Sequence, residues 1–344
     1  MKNVINSLIK LGLVIGLICM LSNPLFSAEA DKKGNNQDED FTTVILNGDK
    51  ITEKEAQDLE KVLSEDINDL RTRAKLLGYY FRKRFNGSES VKKRYQEHIL
   101  WLIQNKPESK LAGNQCFHLC NITDDQYDNG RKLWLKQIET NPNNPKILEN
   151  ASNYFFLSDR KLTEECLKKA QELEPNSAKW AKKLSCCYKS GSILETAEEK
   201  IESMKKSLEQ LEKSYNLEKD NDKRKSMLNE LAKIAFEAGD LKKAENYASD
   251  SLKQYSSPKY DWNYGNVVHD GNMILGRVAL KSGDIDKAKK YLIESGKTSG
   301  SPQLDSFGPN MSLVKELLEK NEKEVVLQYF EMISKFWKTD KLTG

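Results

Sequence analysis

Histidine is scarce in this chain of 344 residues. Only three histidines occur, at positions 98, 118 and 269, so a histidine-based catalytic centre has little material to draw on. Three common enzyme signatures are missing from the sequence as well: Gly-x-Ser-x-Gly, His-Glu-x-x-His and Gly-x-Gly-x-x-Gly. These absences exclude the familiar motifs of esterases, metalloproteases and dinucleotide enzymes, and we predict no catalytic residue and no cofactor.

An excess of charge of either sign is also lacking. Lys and Arg number 55 and Asp and Glu 52, which gives a formal charge of +3 at pH 7. A chain this close to neutral predicts neither nucleic acid nor an acidic membrane as its partner. Charged residues nevertheless make up 31% of the chain and apolar residues 38%. This balance suits a thin array of repeats, in which every repeat exposes much of its surface.

The first 30 residues have the three parts of a secretory signal peptide. Lys2 and Lys10 precede an apolar run at 11–21, and Ala28 and Ala30 supply small residues two apart. The run is too short to span a bilayer comfortably, which takes about 20 residues. We expect cleavage of residues 1–30, no stable membrane span afterwards, and export to the periplasm or the cell surface. An uncleaved anchor is the alternative. A lysine- and asparagine-rich chain with this leader is typical of bacteria.

Residues 31–50 are predicted to be a polar spacer. Its first ten residues are rich in Asn, Lys and Asp and have too little apolar surface to fold. Residues 41–46 combine Phe, Thr, Val, Ile and Leu and precede the turn-forming pair Asn47-Gly48. That pattern predicts a brief strand at the end of the spacer.

One pattern occurs twice, 44 residues apart, at 235–247 and 279–291. In both copies alanines recur at fixed spacing on either side of a Gly-Asp pair, which is Gly239-Asp240 in the first copy and Gly283-Asp284 in the second. Each copy therefore predicts a helix, a tight turn and a second helix that approaches the first closely. One such hairpin cannot bury its own apolar face, so neighbouring hairpins must stack on it.

These copies resemble the tetratricopeptide repeat (TPR) family, whose unit of about 34 residues places small and aromatic residues in this way. Leu275-Gly276, Ala279, Ala288 and Leu292 match the family pattern, as do Leu231-Ala232, Ala235, Ala244 and Ala248. The resemblance implies an all-α solenoid of αα-hairpins with a role in binding other proteins. It names no partner.

Weaker copies extend the repeat to residues 51–309. Leu77-Gly78 with Phe81 matches the first-helix signature, one copy runs from 144 to 176, and another follows, with a second helix that continues to about Tyr215. Residues 310–344 lack the repeat pattern, yet 312–319 and 323–337 remain amphipathic. Because the last hydrophobic face of a solenoid must be covered, we predict that residues 310–344 form capping helices.

Cys116, His118 and Cys120 form the only close Cys/His cluster. Zinc needs three or four converging ligands, and a fourth ligand is not evident. The spacing of four places both cysteines on one face of a helix, where they would simply pack. Buried free thiols, a disulfide and a metal site remain open. Five cysteines follow the leader, and an odd number argues against a tight disulfide scaffold.

The resemblance also implies a binding surface, because in the family the first helices of the hairpins line a concave groove that holds a peptide or a partner helix. Carried over to this sequence, the groove positions are Phe155, Lys179, Lys182, Lys189, Asn229, Lys233, Phe236, Met273, Arg277 and Lys281. Several are basic, which favours an acidic peptide or protein. The chain departs from the subgroup that clamps a terminal carboxylate, since Cys186 and Glu230 stand where asparagines are expected.

Together these features predict a non-enzymatic protein-interaction scaffold of the cell envelope that binds a peptide or partner protein in its groove. One alternative is an envelope hydrolase whose carboxylate site is framed by the repeats. Another is a small-ligand or metal module around Cys116 and His118.

Overall fold

The computed structural model describes residues 41–85, 87–191, 195–254 and 263–337. These ranges contain 16 helices and no strand, so the predicted all-α class is confirmed. The chain divides into two compact units, Met1–Leu173 and Glu174–Gly344. The predicted leader at 1–30 and the first ten residues of the spacer lie outside the described residues. Every helix within the described ranges falls short of the length or the apolar character needed to cross a bilayer.

The first unit contains seven helices in its described part. Its core is built on fully buried aromatic and aliphatic side chains, among them Leu76, Leu77, Tyr95 and Trp134. The last two helices, α6 and α7, form the hairpin predicted at 144–176. In chain order the helices are α1 (Thr42–Gly48), α2 (Glu53–Glu65), α3 (Leu70–Lys83), α4 (Glu89–Asn105), α5 (Tyr127–Thr140), α6 (Pro145–Phe155) and α7 (Arg160–Leu173).

The strand predicted at 41–46 is wrong, because Phe41 is the N-cap of helix α1 and residues 42–46 lie within that helix. The Ile45 amide donates to the Phe41 carbonyl at 2.9 Å, which is a helical bond. Helix α1 packs on α3 where two glycines meet: a Cβ on Gly48 would lie 2.0 Å from the Lys75 carbonyl, and one on Gly78 would lie 2.1 Å from the Ile45 carbonyl. No strand is available to pair with this segment in the described chain. Helical bonds therefore satisfy its backbone instead.

The second unit contains nine helices among its described residues. Four hairpins follow one another, formed by α8/α9, α10/α11, α12/α13 and α15/α16. Helix α9 runs to Leu217, which confirms the predicted overrun to about Tyr215. The helices are α8 (Ala178–Lys189), α9 (Ala197–Leu217), α10 (Asn221–Glu237), α11 (Leu241–Gln254), α12 (Tyr264–Lys281), α13 (Ile285–Ser295), α14 (Pro302–Phe307), α15 (Ser312–Glu319) and α16 (Lys323–Ile333).

The Gly-Asp pairs make the predicted turns. Gly239 and Gly283 both have a φ of 83°, in the left-handed region that glycine adopts without steric cost. The amide of the following aspartate donates to the carbonyl five residues back at 2.9 Å in each turn. The same aspartate then caps the next helix, since Asp240 accepts from the Lys243 amide and Asp284 from the Lys287 amide. The glycine thus ends one helix, and the aspartate caps the start of the next.

The last hairpin, α15/α16, makes the same turn without the Gly-Asp pair. Asn321 takes the left-handed position with a φ of 66°, and the Glu322 amide donates to the Leu317 carbonyl at 3.0 Å. Asparagine is among the few other residues that tolerate this conformation. The hairpin geometry therefore persists where the sequence pattern of the repeat has faded.

Helices α15 and α16 cap the second unit as predicted. Leu313, Val314, Leu317 and Ile333 bury their side chains against α12 and α13, in a core that also includes Met273 and Leu292. A second core cluster lies between α9, α10, α11 and α12 and contains Leu208, Leu231, Ala235, Ala244 and Leu275. The small alanines let the paired helices approach closely, as their spacing in the sequence predicts.

Candidate functional site

The first helices of the hairpins in the second unit carry a series of ion pairs. Each pair joins a basic residue of one first helix to an acidic residue of the next. Lys189 of α8 pairs with Glu230 of α10, Lys233 of α10 with Asp270 of α12 at 2.5 Å, and Arg277 of α12 with Glu316 of α15 at 2.8 Å. We call these six residues, together with Asn229, the first-helix face.

Two of the three ion pairs are supported by additional contacts. Arg277 reaches one oxygen of Glu316 through two nitrogens, Nε at 2.9 Å and Nη2 at 2.8 Å, and its guanidinium lies 4.2 Å from the centre of the Phe236 ring. Asn229 and Lys233 both donate to the same oxygen of Asp270. The six charged side chains are partly exposed rather than buried in the core. The face is therefore ordered by the chain itself and remains open to a partner.

These contacts shift the pKa values of two members of the face. Burial alone would lower the pKa of Lys189, but the neighbouring Glu230 carboxylate raises it above its ordinary value. Burial alone would raise the pKa of Asp270, but Lys233 and the hydrogen bond from His269 hold it well below its usual range. Both side chains are therefore charged at neutral pH, and the pairs are ionic.

Asp270 also connects the face to the core. His269 is fully buried, and its Nδ1 lies 3.1 Å from the second oxygen of Asp270. Because an ionised carboxylate only accepts, Nδ1 carries the proton in this contact. Its Nε2 lies 3.1 Å from the Tyr329 hydroxyl. This chain of bonds from α12 to α16 is closed to solvent at the His269 and Tyr329 end, so we assign it a structural role.

The predicted groove residues divide into four groups, three of them polar and one apolar. The basic residues Lys189, Lys233 and Arg277, with Asn229, belong to the first-helix face. Lys182 and Lys281 lie on first helices of the same unit and are half-buried and exposed respectively. Lys179 extends over the ring of Trp180, with Nζ 4.5 Å from the ring centre.

The three apolar members of the predicted set are core residues. Phe155 belongs to the first unit and is 0% exposed, and Met273 is 1% exposed in the capped core. Phe236 is also buried, beneath the guanidinium of Arg277. Their assignment to a partner surface is corrected, because a first helix packs against its own second helix and against the next hairpin, which leaves only a narrow stripe exposed.

The acidic half of the face was missed by sequence reasoning. Glu230, Asp270 and Glu316 follow their basic partners by 41, 37 and 39 residues. A search for a basic residue followed by an acidic one at about the repeat spacing would have found them. The resemblance to the family implies only the positions that contact ligands. It does not imply contacts between consecutive repeats.

Helical packing of Cys116 and Cys120 on one face was a wrong prediction, because the segment from Lys106 to Gln126, which the structure describes in full, forms no helix. This segment is held by side chains instead: the Tyr95 hydroxyl donates to the Cys116 carbonyl and Asp124 accepts from the Cys120 amide. Both cysteines are free thiols, as are Cys166, Cys186 and Cys187.

The cluster does not form a metal site in the described structure. Burial lowers the pKa of His118, whose Nδ1 donates to the Gln115 carbonyl at 2.6 Å. Burial likewise raises the pKa of Cys116, which disfavours the thiolate that a metal would need. No group of three or more His, Cys, Asp or Glu side chains in the described ranges is placed to hold a metal ion.

No protein-family model matches the sequence, and no curated protein matches it either. Among solved structures the chain is similar to a human IFIT1 dimer with PPP-AAAA, at 16% identity and a TM-score of 0.40. It is also similar to a human IFIT1 dimer with m7Gppp-AAAA, at 16% identity and a TM-score of 0.39. Both matches cover 82% of this chain and 67% of the other. A likeness of this strength carries no argument about what the chain binds.

Proposed function

We propose that this protein is a non-enzymatic scaffold that binds a peptide or partner protein on the first-helix face of its second unit. The observation that carries the proposal is the series of three ion pairs between consecutive first helices. Their side chains are already held in one arrangement, so binding loses less conformational entropy than it would on a surface of free lysines. The first-helix face is thus preorganised for binding in the absence of a partner.

The ion pairs restrict the chemistry of that partner. Each cation of the face already has an acid from its own chain, so an acidic peptide would compete with Glu230, Asp270 and Glu316. Lys182 and Lys281 have no ion pair among the described residues. We propose that the partner presents carboxylates to these two lysines and polar or mixed-charge groups to the paired positions. Electrostatic complementarity of this kind contributes to specificity and to the rate of association.

The proposed setting is the cell envelope, after export and removal of residues 1–30. The test is affinity capture from fractionated envelope extract, followed by mass spectrometry. We expect the captured chain to begin at residue 31. We also expect a set of partners that is lost when Lys182→Glu and Lys281→Glu are combined, because both changes place a carboxylate where the partner presents its own.

The matched control is Lys290→Glu, which reverses an exposed lysine on a second helix, α13. The control should retain the partners that the double variant loses. If the two variants capture the same proteins, the first-helix face is not the binding surface. If the purified chain degrades cell-wall polymer, the protein is a hydrolase and the non-enzymatic assignment fails.

A further inference from the structure

Among the residues that the structure describes, none covers an apolar surface of the capping hairpin at the end of the second unit. The exposed fractions of Leu318, Leu327 and Phe330 are 41%, 62% and 39%. Between α15 and α16 lies a shallow groove of about 400 Å³, lined by Met311, Val314, Lys315, Leu318, Phe330 and Trp337. The terminal elements of a repeat array need a polar outer face to stay soluble. This hairpin covers the core on one side and presents a second apolar face on the other.

Two charges flank this groove. Lys315 is the one charged residue among the described residues that line it, and Glu331 directly follows Phe330 on α16. Both are exposed, and neither has an ion pair in the described part of the chain. On α16, Leu327, Phe330 and Glu331 lie at spacings of three and four, so they form one exposed stripe. The hairpin therefore contains an apolar groove with a cation, Lys315, and beside it an exposed ridge in which Leu327 is followed by an anion, Glu331.

This combination is what a two-fold contact requires. In a symmetric dimer the same patch is used twice, so the groove of one copy must receive the ridge of the other, and each charge must meet its opposite. An unrelated partner would explain the groove alone. A second copy of this chain explains the groove, the exposed stripe of α16 and the two opposite charges together.

We propose that two copies of the chain associate through the capping hairpin. Leu327 of each copy enters the groove of the other, in the way that an amphipathic helix occupies a hydrophobic groove. Phe330, which lines the groove, is covered by the same contact. Lys315 of each copy pairs with Glu331 of the second copy. The contact uses no residue of the first-helix face, although Glu316 of that face shares helix α15 with Lys315. The scaffold can therefore bind its partner as a dimer.

The first test is sedimentation of the full chain over a dilution series, with Leu327→Lys as the disrupting variant. Ile122→Lys is the matched control, because Ile122 is also 62% exposed and lies in the first unit. We expect the wild type and the control to dimerise and Leu327→Lys to remain monomeric. Since all three chains keep the same N-terminus, association through the apolar run at 11–21 would be equal in each. A monomeric wild type, or a Leu327→Lys variant that still dimerises, overturns the proposal.

The second test asks whether the two charges meet. Lys315→Glu or Glu331→Lys alone should weaken the dimer about three- to tenfold, because each exposed pair contributes little and the symmetric contact contains two. The double variant Lys315→Glu/Glu331→Lys should restore the wild-type dissociation constant. Both side chains are exposed, and circular dichroism checks that each variant folds. If the double variant is weaker than both single variants, the proposed pairing is wrong.

Discussion

Asp270 is the residue on which most contacts of the first-helix face converge. Its carboxylate accepts from Asn229, Lys233 and His269, which belong to two neighbouring first helices. A carboxylate that loses part of its hydration is stabilised when donors replace the lost water. The low pKa of Asp270 is therefore a sign that the folded chain favours the charged form.

A pH-dependent contribution to stability follows from this shift. Because the folded pKa lies below the ordinary value of about 3.9, the contribution is complete above that value and is lost as the pH falls below it. Asp270→Asn should lower the free energy of unfolding by about 1–3 kcal/mol at pH 7, since Lys233 loses its charged partner. The measurement is urea unfolding of both chains at pH 7 and pH 3.

The difference between the wild type and the Asn variant should shrink at pH 3, because the wild-type carboxylate then becomes protonated more readily in the unfolded chain than in the folded one. Other carboxylates titrate equally in both chains and cancel in the comparison. A difference of the same size at both pH values would show that Asp270 contributes through packing alone.

At the scale of helices, the hairpins are set by what occupies the left-handed position of each turn. Gly239, Gly283 and Asn321 hold that position in three consecutive hairpins. The two glycines have open space around them, because a Cβ added to either would meet no atom within 4 Å. The requirement at these positions is therefore the backbone conformation and not the available volume.

Asn321 allows this requirement to be measured. Asn321→Ala should destabilise the capping hairpin by about 1–2 kcal/mol, the cost of a left-handed alanine, whereas Asn321→Gly should be at least as stable as the wild type. Asn321 is exposed, so neither change disturbs the core. Thermal unfolding followed by circular dichroism provides the comparison. Equal stability of the Ala and Gly variants would mean that the turn relaxes to another conformation.

At the scale of the whole molecule, basic and acidic residues are nearly equal in number. On the first-helix face, each basic residue also lies next to an acidic one. The formal charge of +3 is spread over 344 residues, and three prominent cations of the second unit are paired with acids of the same chain. Non-specific nucleic-acid binding depends on cations that are free to neutralise phosphates and to release counterions.

We therefore expect weak binding to single-stranded nucleic acid. In an anisotropy titration with labelled oligoadenylate, the dissociation constant at physiological salt should be weaker than about 10⁻⁴ M, the weak end of ordinary non-specific binding. The affinity should also change little between low and physiological salt. Tight binding that falls steeply with added salt would replace the protein-scaffold proposal with a nucleic-acid role.

The turns and helices could be predicted from the sequence because their causes are local. The Gly-Asp pairs carry both the left-handed residue and the helix cap, and the alanine spacing marks the faces that pack. The prediction of a strand at 41–46 was wrong because a short run of β-branched and apolar residues is equally compatible with a strand and with a buried helix. The contact between Gly48 and Gly78, which are far apart in the chain, decides between them.

The sequence by itself determined the all-α class, the hairpin repeat and the two capping helices, since each rests on residues that are close together in the chain. Only the tertiary structure decided which side chains face outward and which charges meet. Phe155 and Met273 belong to the core, and Lys233 meets Asp270 across a full repeat, because the stacking of one hairpin on the next sets these contacts. That stacking depends on packing between distant segments, which no local pattern records.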